Sequence, residues 1–336
     1  MDIGKFKTIG YIGGGTYGDV FRANDTLLNV ERAIKIVRVQ NPKEFIDAVN
    51  EAQILEKCRH KHIVDIKEID IHQIAGKPYP CITTEYLKNG SAQSYIEKNF
   101  VTVNKAISIA ADSLFGLEYA HGQGILHRDI KPGNILFADN GYSKLSDFGL
   151  AYGLSHQTFS FAGYNSHLPP EVLEGIAQDS LSDLYSMGIT FHRLLNNMPC
   201  LNIPFADDTE WLKALKKEKF PERKYQPHIP EQVIRIAKKS IRADRSNRFQ
   251  TCLEFRQAIQ KVPLAVEWSP INADQWIGKF QGDLYEIILY SKRTGHFIDF
   301  KRNGRKLNDK SFIQISDNTI ARNEFFKVIR ETTIKV

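Results

Sequence analysis

Nowhere in these 336 residues does an apolar run approach the roughly 20 residues a membrane helix requires, and the opening residues lack the apolar core of a signal peptide. A cytoplasmic chain is expected. Cysteine is scarce: Cys58, Cys81, Cys200 and Cys252 lie far apart with no CxxC pair, which argues against a zinc site and against a disulfide framework. Buried thiols in a reducing compartment fit that pattern. Charge of one sign is not in large excess either, since a net +6 is compatible with phosphorylated or nucleic-acid ligands and implies neither. With 42% hydrophobic and 25% charged residues, the composition is that of a folded protein long enough for two domains, or one large domain with an appendage.

Glycine, by contrast, is concentrated near the start. Ile12-Gly13-Gly14-Gly15-Thr16-Tyr17-Gly18-Asp19-Val20 is a GxGxxG between two strand-like runs. Dinucleotide-binding turns share the pattern but continue into a helix, whereas Asp19 to Ala23 reads as a second strand, so the spacing predicts a hairpin. Glycines at its tip let backbone N–H groups approach a phosphate chain. A lysine, Lys35, follows in the apolar run Ala33 to Val39 and needs a counter-charge. Glu51 is a candidate, in a segment from about Pro42 to Cys58 where Phe45, Val49, Ala52 and Leu55 repeat at helical spacing, although the helix pattern alone reads it as a solvated surface glutamate.

The stretches "ILHRDIKPGNILF" (125–137) and "KLSDFGLA" (144–151) place Asp129, Asn134 and Asp147 at the edges of strand-like pieces. Three such oxygen-bearing side chains suit magnesium and the handling of a hydroxyl proton. With the glycine loop and the lysine upstream in the same order, the chain closely resembles a eukaryotic-type (Hanks-type) serine/threonine protein kinase, in wording nearer a bacterial member. The resemblance runs from about residue 5 to 262. It continues through "LPPEVL", with Pro169 where the family has alanine, "SDLYSMGITFHRLL" and "ADRSNRFQT".

What the resemblance implies is an α+β, bilobal protein-kinase fold: a small β-rich N-lobe over about 1–86 and a large helical C-lobe over about 87–262, plus a small β-rich C-terminal appendage at 263–336. Gly13, Gly15 and Gly18 would cover the phosphates of ATP, Lys35 would hold two of them, and Glu51 would orient Lys35. Val20 and Ala33 would sandwich the adenine, with Thr84 as gatekeeper before an open back pocket and the Glu85 to Leu87 backbone bonding to the ring. Asp129 would accept or orient the substrate hydroxyl, Lys131 would stabilise the transferring phosphoryl group, and Asn134 with Asp147 would hold Mg2+. His127 and Phe148 would be packed residues, Asp183 would tether the backbone around Arg128, and Arg248 would pair with Glu171. Thr251 and Glu254 would form a capping box for a last helix.

Lys131 in the catalytic loop implies serine or threonine as acceptor. Gly163-Tyr164, where such kinases carry Gly-Thr, departs from the pattern and implies a rebuilt substrate-side loop. Tyr164 would either pack under the substrate site or itself be phosphorylated. Arg128 invites pairing with a phosphate on the activation segment, where Ser155, Thr158, Ser160 and Ser166 are candidate acceptors, so autophosphorylation on at least one of them is expected. Protein substrates are favoured over the two alternatives, a scaffold acting through the tail and a kinase for small molecules.

Beyond Val262-Pro263 no family resemblance appears. Alternating runs around Thr294-Gly295 and Asn303-Gly304 predict a three-stranded meander over Tyr285 to Lys292, His296 to Arg302 and Arg305 to Ile315. A helix from about Thr319 to Arg330, capped by Asn318, would close it, and Trp268 and Trp276 would be core or docking residues in the connection to the kinase lobe. A segment this small is expected to pack on the kinase. Lys292, Arg293, Lys301, Arg302, Arg305, Lys306 and Lys310 stand against Asp299 and Asp309, a footprint for nucleic acid or a solvated, protein-binding face. The second is favoured, because aromatic residues are not clearly interleaved with the charges.

Overall fold

The computed structural model describes residues 2–15, 18–39, 46, 58–148 and 165–335. Glu51 and the helical repeat around it, Gly163, Tyr164, Ser155, Thr158 and Ser160 lie outside the described residues.

An antiparallel six-stranded sheet comes first, in the order β1-β2-β3-β4-β6-β5. Its strands are β1 (Asp2–Ile3), β2 (Phe6–Gly15), β3 (Gly18–Asp25), β4 (Val30–Val37), β5 (Ile66–Ile74) and β6 (Lys77–Glu85). Ile3, Phe6, Ala23, Ile34 and Cys81 fill one face with almost no exposure. Because side chains alternate along a strand, burying Ile34 sends Ala33 and Lys35 to the opposite face.

The chain then turns helical. α1 (Ala92–Lys98) and α2 (Val103–Gly122) precede a small hairpin, β7 (Ile135–Phe137) with β8 (Ser143–Leu145). α3 (Pro170–Leu173), α4 (Ser180–Leu195), α5 (Asp208–Lys216), α6 (Glu231–Ser240) and α7 (Cys252–Gln260) follow. α2 starts where the Thr102 hydroxyl accepts the Lys105 N–H, and α4 where Asp179 accepts those of Leu181 and Ser182. α4 is buried on nearly every side, its polar residues Ser182, Asp183, Ser186, Thr190, His192 and Arg193 included. Gly188 permits this: an added Cβ would stand 2.5 Å from Ser240 Oγ and 2.9 Å from Ile241 Cγ2. At α7 the Thr251 hydroxyl caps the helix as expected, but Glu254 reaches the Gln250 N–H instead of closing a reciprocal box.

The C-terminal region differs from the expected three-stranded meander. β9 (Glu267–Asn272) and β10 (Gln275–Phe280) precede β11 (Asp283–Lys292) and β12 (Gly295–Arg302) in a sheet ordered β13-β12-β11-β10-β9. The expected strand over 305–315 is broken by a tight turn at Asn308–Lys310 into β13 (Arg305–Lys306) and β14 (Phe312–Ile315), both paired with β12. α8 (Asn318–Ile334) is longer than its apolar repeat suggests, and its cap is Asp317, whose carboxylate accepts the Ile320 N–H, rather than Asn318. Trp268 and Trp276 belong to the sheet and its core, with Ile287, Ile298, Phe300 and Phe325. Glu286 and Asp283 also stand in this sheet, paired with Lys301 and Arg302, so its cationic surplus is smaller than the seven basic residues suggest.

Candidate active site

Register alone assembles one half of the site. Val20 lies opposite Lys35, Lys35 opposite Ile82 and Ala33 opposite Thr84. Directly opposed residues share a sheet face, and so do residues two apart. Val20, Ala33, Lys35 and Thr84 therefore line one face of the first sheet. Gly15 pairs with Gly18 at the end of the β2–β3 hairpin, which is the hairpin expected from the glycines. At Gly18 (φ +156°) an added Cβ would come within 2.2 Å of the Ile36 carbonyl oxygen, whereas at Gly13 it would meet no atom of the described residues within 4 Å. The Gly13 glycine is thus not demanded by the packing of those residues.

Where this sheet ends, Glu85 is committed to structure. Its Oε1 accepts the Asp65 N–H at 2.9 Å and the Lys144 ammonium at 2.6 Å, while its own N–H donates to the Asp65 carbonyl. Its backbone and those of Tyr86 and Leu87 form the crossing to the helical region, and the Arg22 guanidinium lies 5.1 Å from the Tyr86 ring centroid.

The other half is built on the loop before β7. Asp183, 1% exposed, accepts the backbone N–H groups of His127 at 2.8 Å and Arg128 at 2.7 Å, and so fixes the loop to α4. Arg128 takes the left-handed conformation there, φ +66°. His121 on α2 completes the anchor through Nε2, 2.9 Å from Asp183. Nothing in the local sequence marks His121, because the contact spans two helices. His127 is fully buried with its ring centroid 4.5 Å from that of Phe148, the packing expected of both. Burial holds its imidazole below the usual histidine range.

On that loop Lys131 Nζ lies 2.7 Å from Asp129 Oδ2, and Asn134 Nδ2 donates to Asp129 Oδ2 at 2.9 Å and to its carbonyl at 2.7 Å. Across the β7–β8 hairpin the Ser146 N–H donates to the Asn134 carbonyl, which brings Asp147 beside Asn134. Asp147 is itself left-handed, φ +54°. Its Oδ1 accepts Lys35 Nζ at 2.5 Å, an ion pair that joins the two halves across 112 residues of sequence. Desolvation works to raise the Asp147 carboxyl, and the Lys35 charge and hydrogen bond, with His127 and Lys131 behind them, outweigh it and leave it below the ordinary carboxylate range.

Lys35, Asp129, Lys131, Asn134 and Asp147 are thus brought together, with Val20, Ala33 and Thr84 on the adjoining sheet face. Glu51 lies outside the described residues; Lys35 is paired with Asp147. Ser166 is 7% exposed, with Oγ 3.3 Å from His167 Nδ1, so its hydroxyl faces inward. Behind it His167 is buried, and burial with the nearby Arg193 and Lys131 charges depresses its imidazole well below the usual range. Further back, Arg248 meets Glu171 in a bidentate pair at 2.6 and 2.8 Å, as expected from the sequence, with both side chains buried.

Residues 6–261 match the family described as "Protein kinase domain". Among curated relatives, the serine/threonine-protein kinase PrkC of Bacillus subtilis is 32% identical over 272 residues, covering 76% of this chain and 40% of the relative. The serine/threonine-protein kinase PknB of Mycolicibacterium smegmatis is 27% identical over 264 residues, covering 75% and 42%. PknB of Mycobacterium tuberculosis is 26% identical over 264 residues with the same coverage. The chain therefore spans less than half the length of these relatives.

Proposed function

The chain belongs to the protein kinase domain family, and from that premise we propose that it transfers the γ-phosphoryl group of ATP to serine or threonine hydroxyls of proteins. One observation carries the reading: the Asp129 carboxylate is held by Lys131 and Asn134 beside an Asp147 that is kept ionised by Lys35.

ATP would lie against the face of Val20, Ala33 and Thr84, its ring bonded to the Glu85–Leu87 backbone and its phosphates under Gly13, Gly15 and Gly18. The space at Gly13, where no described atom lies within 4 Å of an added Cβ, leaves room for a phosphate chain. Lys35 would hold phosphate oxygens, exchanging one oxyanion partner for another. Glu51 is proposed as the residue that orients it. Asp147 and the amide oxygen of Asn134 suit Mg2+, a hard cation that takes one or two carboxylates and completes its shell with phosphates and water. The ion would neutralise charge on the phosphates.

The residues present then have a division of labour. Asp129 accepts or orients the proton of the acceptor hydroxyl, whose oxygen forms the new bond to the γ-phosphorus as the bond to the leaving ADP oxygen breaks. Lys131, bonded to Asp129 in this structure, places its charge where equatorial oxygens gain negative charge. Positioning and charge neutralisation supply most of the acceleration in such transfers. We further propose a kinase domain over 1–262 and a separate module at 263–336, autophosphorylation of the activation segment, and a cytoplasmic setting, which four unpaired cysteines support. Among the described residues no helix is long and apolar enough to cross a membrane.

The test is incorporation of labelled phosphate from ATP with magnesium, on the protein itself and on a generic basic protein, followed by phosphoamino-acid analysis. Signal on serine or threonine that disappears in Asp129→Asn is the expected outcome. Its absence in protein that binds ATP would overturn the catalytic reading in favour of a scaffold, and phosphorylation of small alcohols alone would move the substrate class.

A further inference from the structure

The C-terminal sheet has one face against α8 and the other open to solvent. The kinase region touches the module at Trp276 and Arg330, and at Glu267 on the β9 edge of this open face, away from the β11–β12 hairpin end. Cross-strand register puts Tyr290 and Phe297 directly opposite each other on the open face, and neither ring belongs to the module's core. Their rings are offset-stacked, 5.5 Å apart at 15°, and both are half-buried. Beside them the Lys292 ammonium stands 5.4 and 5.3 Å from the two centroids, and Arg293 follows at the hairpin tip.

Charge on this face is not balanced. Its acids are already occupied: Glu286 is tied to Lys301, Asp299 to Lys306, and Glu267 accepts the Thr102 hydroxyl. Among the described residues Lys292 and Arg293 are exposed with no acidic partner, whereas Lys279 lies directly opposite Glu267. Exposed Ile277 and Leu284 lie on the same face. A flat surface that joins unpaired cations to a parallel aromatic pair is complementary to a chain bearing both phosphates and free base faces. Duplexes hide their base faces in the stack, and an acidic peptide would satisfy the cations while leaving the rings without a partner.

We propose that the open face of β11–β12 binds single-stranded nucleic acid, with bases stacked on Tyr290 and Phe297 and phosphates held by Lys292 and Arg293. This reverses the protein-binding preference drawn from sequence. Pairing Tyr290 with Phe297 across the strands, next to Lys292, supplies the aromatic and charged interleaving that linear order obscures.

The experiment is fluorescence polarisation of the full chain with labelled single-stranded RNA and DNA of mixed sequence, about 16 nucleotides long, the upper site size of such surfaces. Duplex and poly-glutamate serve as competitors. Replacing Tyr290→Val with Phe297→Val, which keeps strand propensity, should weaken binding roughly tenfold or more, the range of a lost base–aromatic stack. Lys292→Gln with Arg293→Gln, which keeps both rings and the module's core residues, should weaken binding and flatten the slope of log K against log salt by about 1.4, or 0.7 per phosphate contact. No binding at low salt would overturn the proposal. So would affinity indifferent to the aromatic pair in variants that melt like the parent, or equal competition by duplex or poly-glutamate, which would mark a general polyanion surface.

Discussion

At Asp147 a single carboxylate has two suitors. Lys35 holds it now at 2.5 Å, and the proposed reaction needs both side chains turned toward the same ligand, one to phosphate oxygens and the other to the metal. The ion pair keeps Asp147 charged where desolvation would otherwise raise its pKa. Because the shift is downward, the charge is complete at neutral pH and is lost only as pH falls below the ordinary carboxylate value of about 3.9. Removing the cation should therefore act twice. Lys35→Met is expected to lower kcat by about 10²- to 10³-fold, the usual cost of one preorganised electrostatic partner, and to move the Asp147 carboxyl upward in an NMR titration. A variant that loses activity with no upward movement would mean that the pair is not what holds Asp147 ionised.

Between elements the strongest tie is Arg248 with Glu171, which fastens the start of α3 to the loop before α7. Arg248 also donates to the Arg242 and Ala243 carbonyls and stacks 4.7 Å over Tyr185, so removing either partner strands a buried charge. Arg248→Met should cost about 3–5 kcal/mol in denaturant unfolding, and Glu171→Leu added to it should restore much of that, because the uncompensated charge is the larger penalty. Equal losses in the single and double variants would contradict this. The glycine hairpin was readable from the residues themselves, and the resemblance to the kinase family implied both the Arg248–Glu171 pair and the grouping of Asp129, Lys131, Asn134 and Asp147. What was not readable has particular causes. The Lys35–Asp147 contact joins residues 112 apart and follows no local pattern. β9 and β10 were missed because Pro270 and Gly278 interrupt their alternation. The sheet tolerates the first on an edge strand and needs the second, where a Cβ would press within 2.3 Å of Val266 Cγ1. α8 outruns its apolar repeat because Thr332 and Thr333, weak helix formers, are buried at the junction. There Thr332 accepts the Trp268 indole N–H, and their carbonyls receive the N–H groups of Val266 and Ala265.

Over the whole molecule, that junction makes the module part of the kinase's own packing. Phe100, His228 and Trp276 form an aromatic cluster with centroids 5.0 to 5.6 Å apart, the Thr102 hydroxyl donates to Glu267, and Arg330 donates to the Pro227 carbonyl. Thr102 is also the cap of α2, the helix that carries the Asp183 anchor's partner His121, so the module braces an element that supports the catalytic loop. The weak point of the cluster is His228, whose Nε2 has no hydrogen-bond partner among the described residues and whose imidazole is pushed down to about 4 by burial. The sign follows from where protons bind. Unfolded His228 takes a proton below about 6.5, while the folded form refuses it until about 4, so stability is complete above pH 6.5 and falls through that window. The loss by pH 4 amounts to about 3 kcal/mol, at 1.36 kcal/mol per pH unit. His127, His167 and His192 share the same direction deeper in the helical region, so the contribution of His228 must be isolated by difference. His228→Leu should unfold in urea with a midpoint at pH 7 no lower than the parent's, since it discards an unsatisfied buried nitrogen, and should lose markedly less stability between pH 7 and pH 4.5. If the variant and the parent fall in parallel, His228 is not desolvated in solution, and the module's Trp276 does not cover it as closely as their 5.0 Å spacing implies.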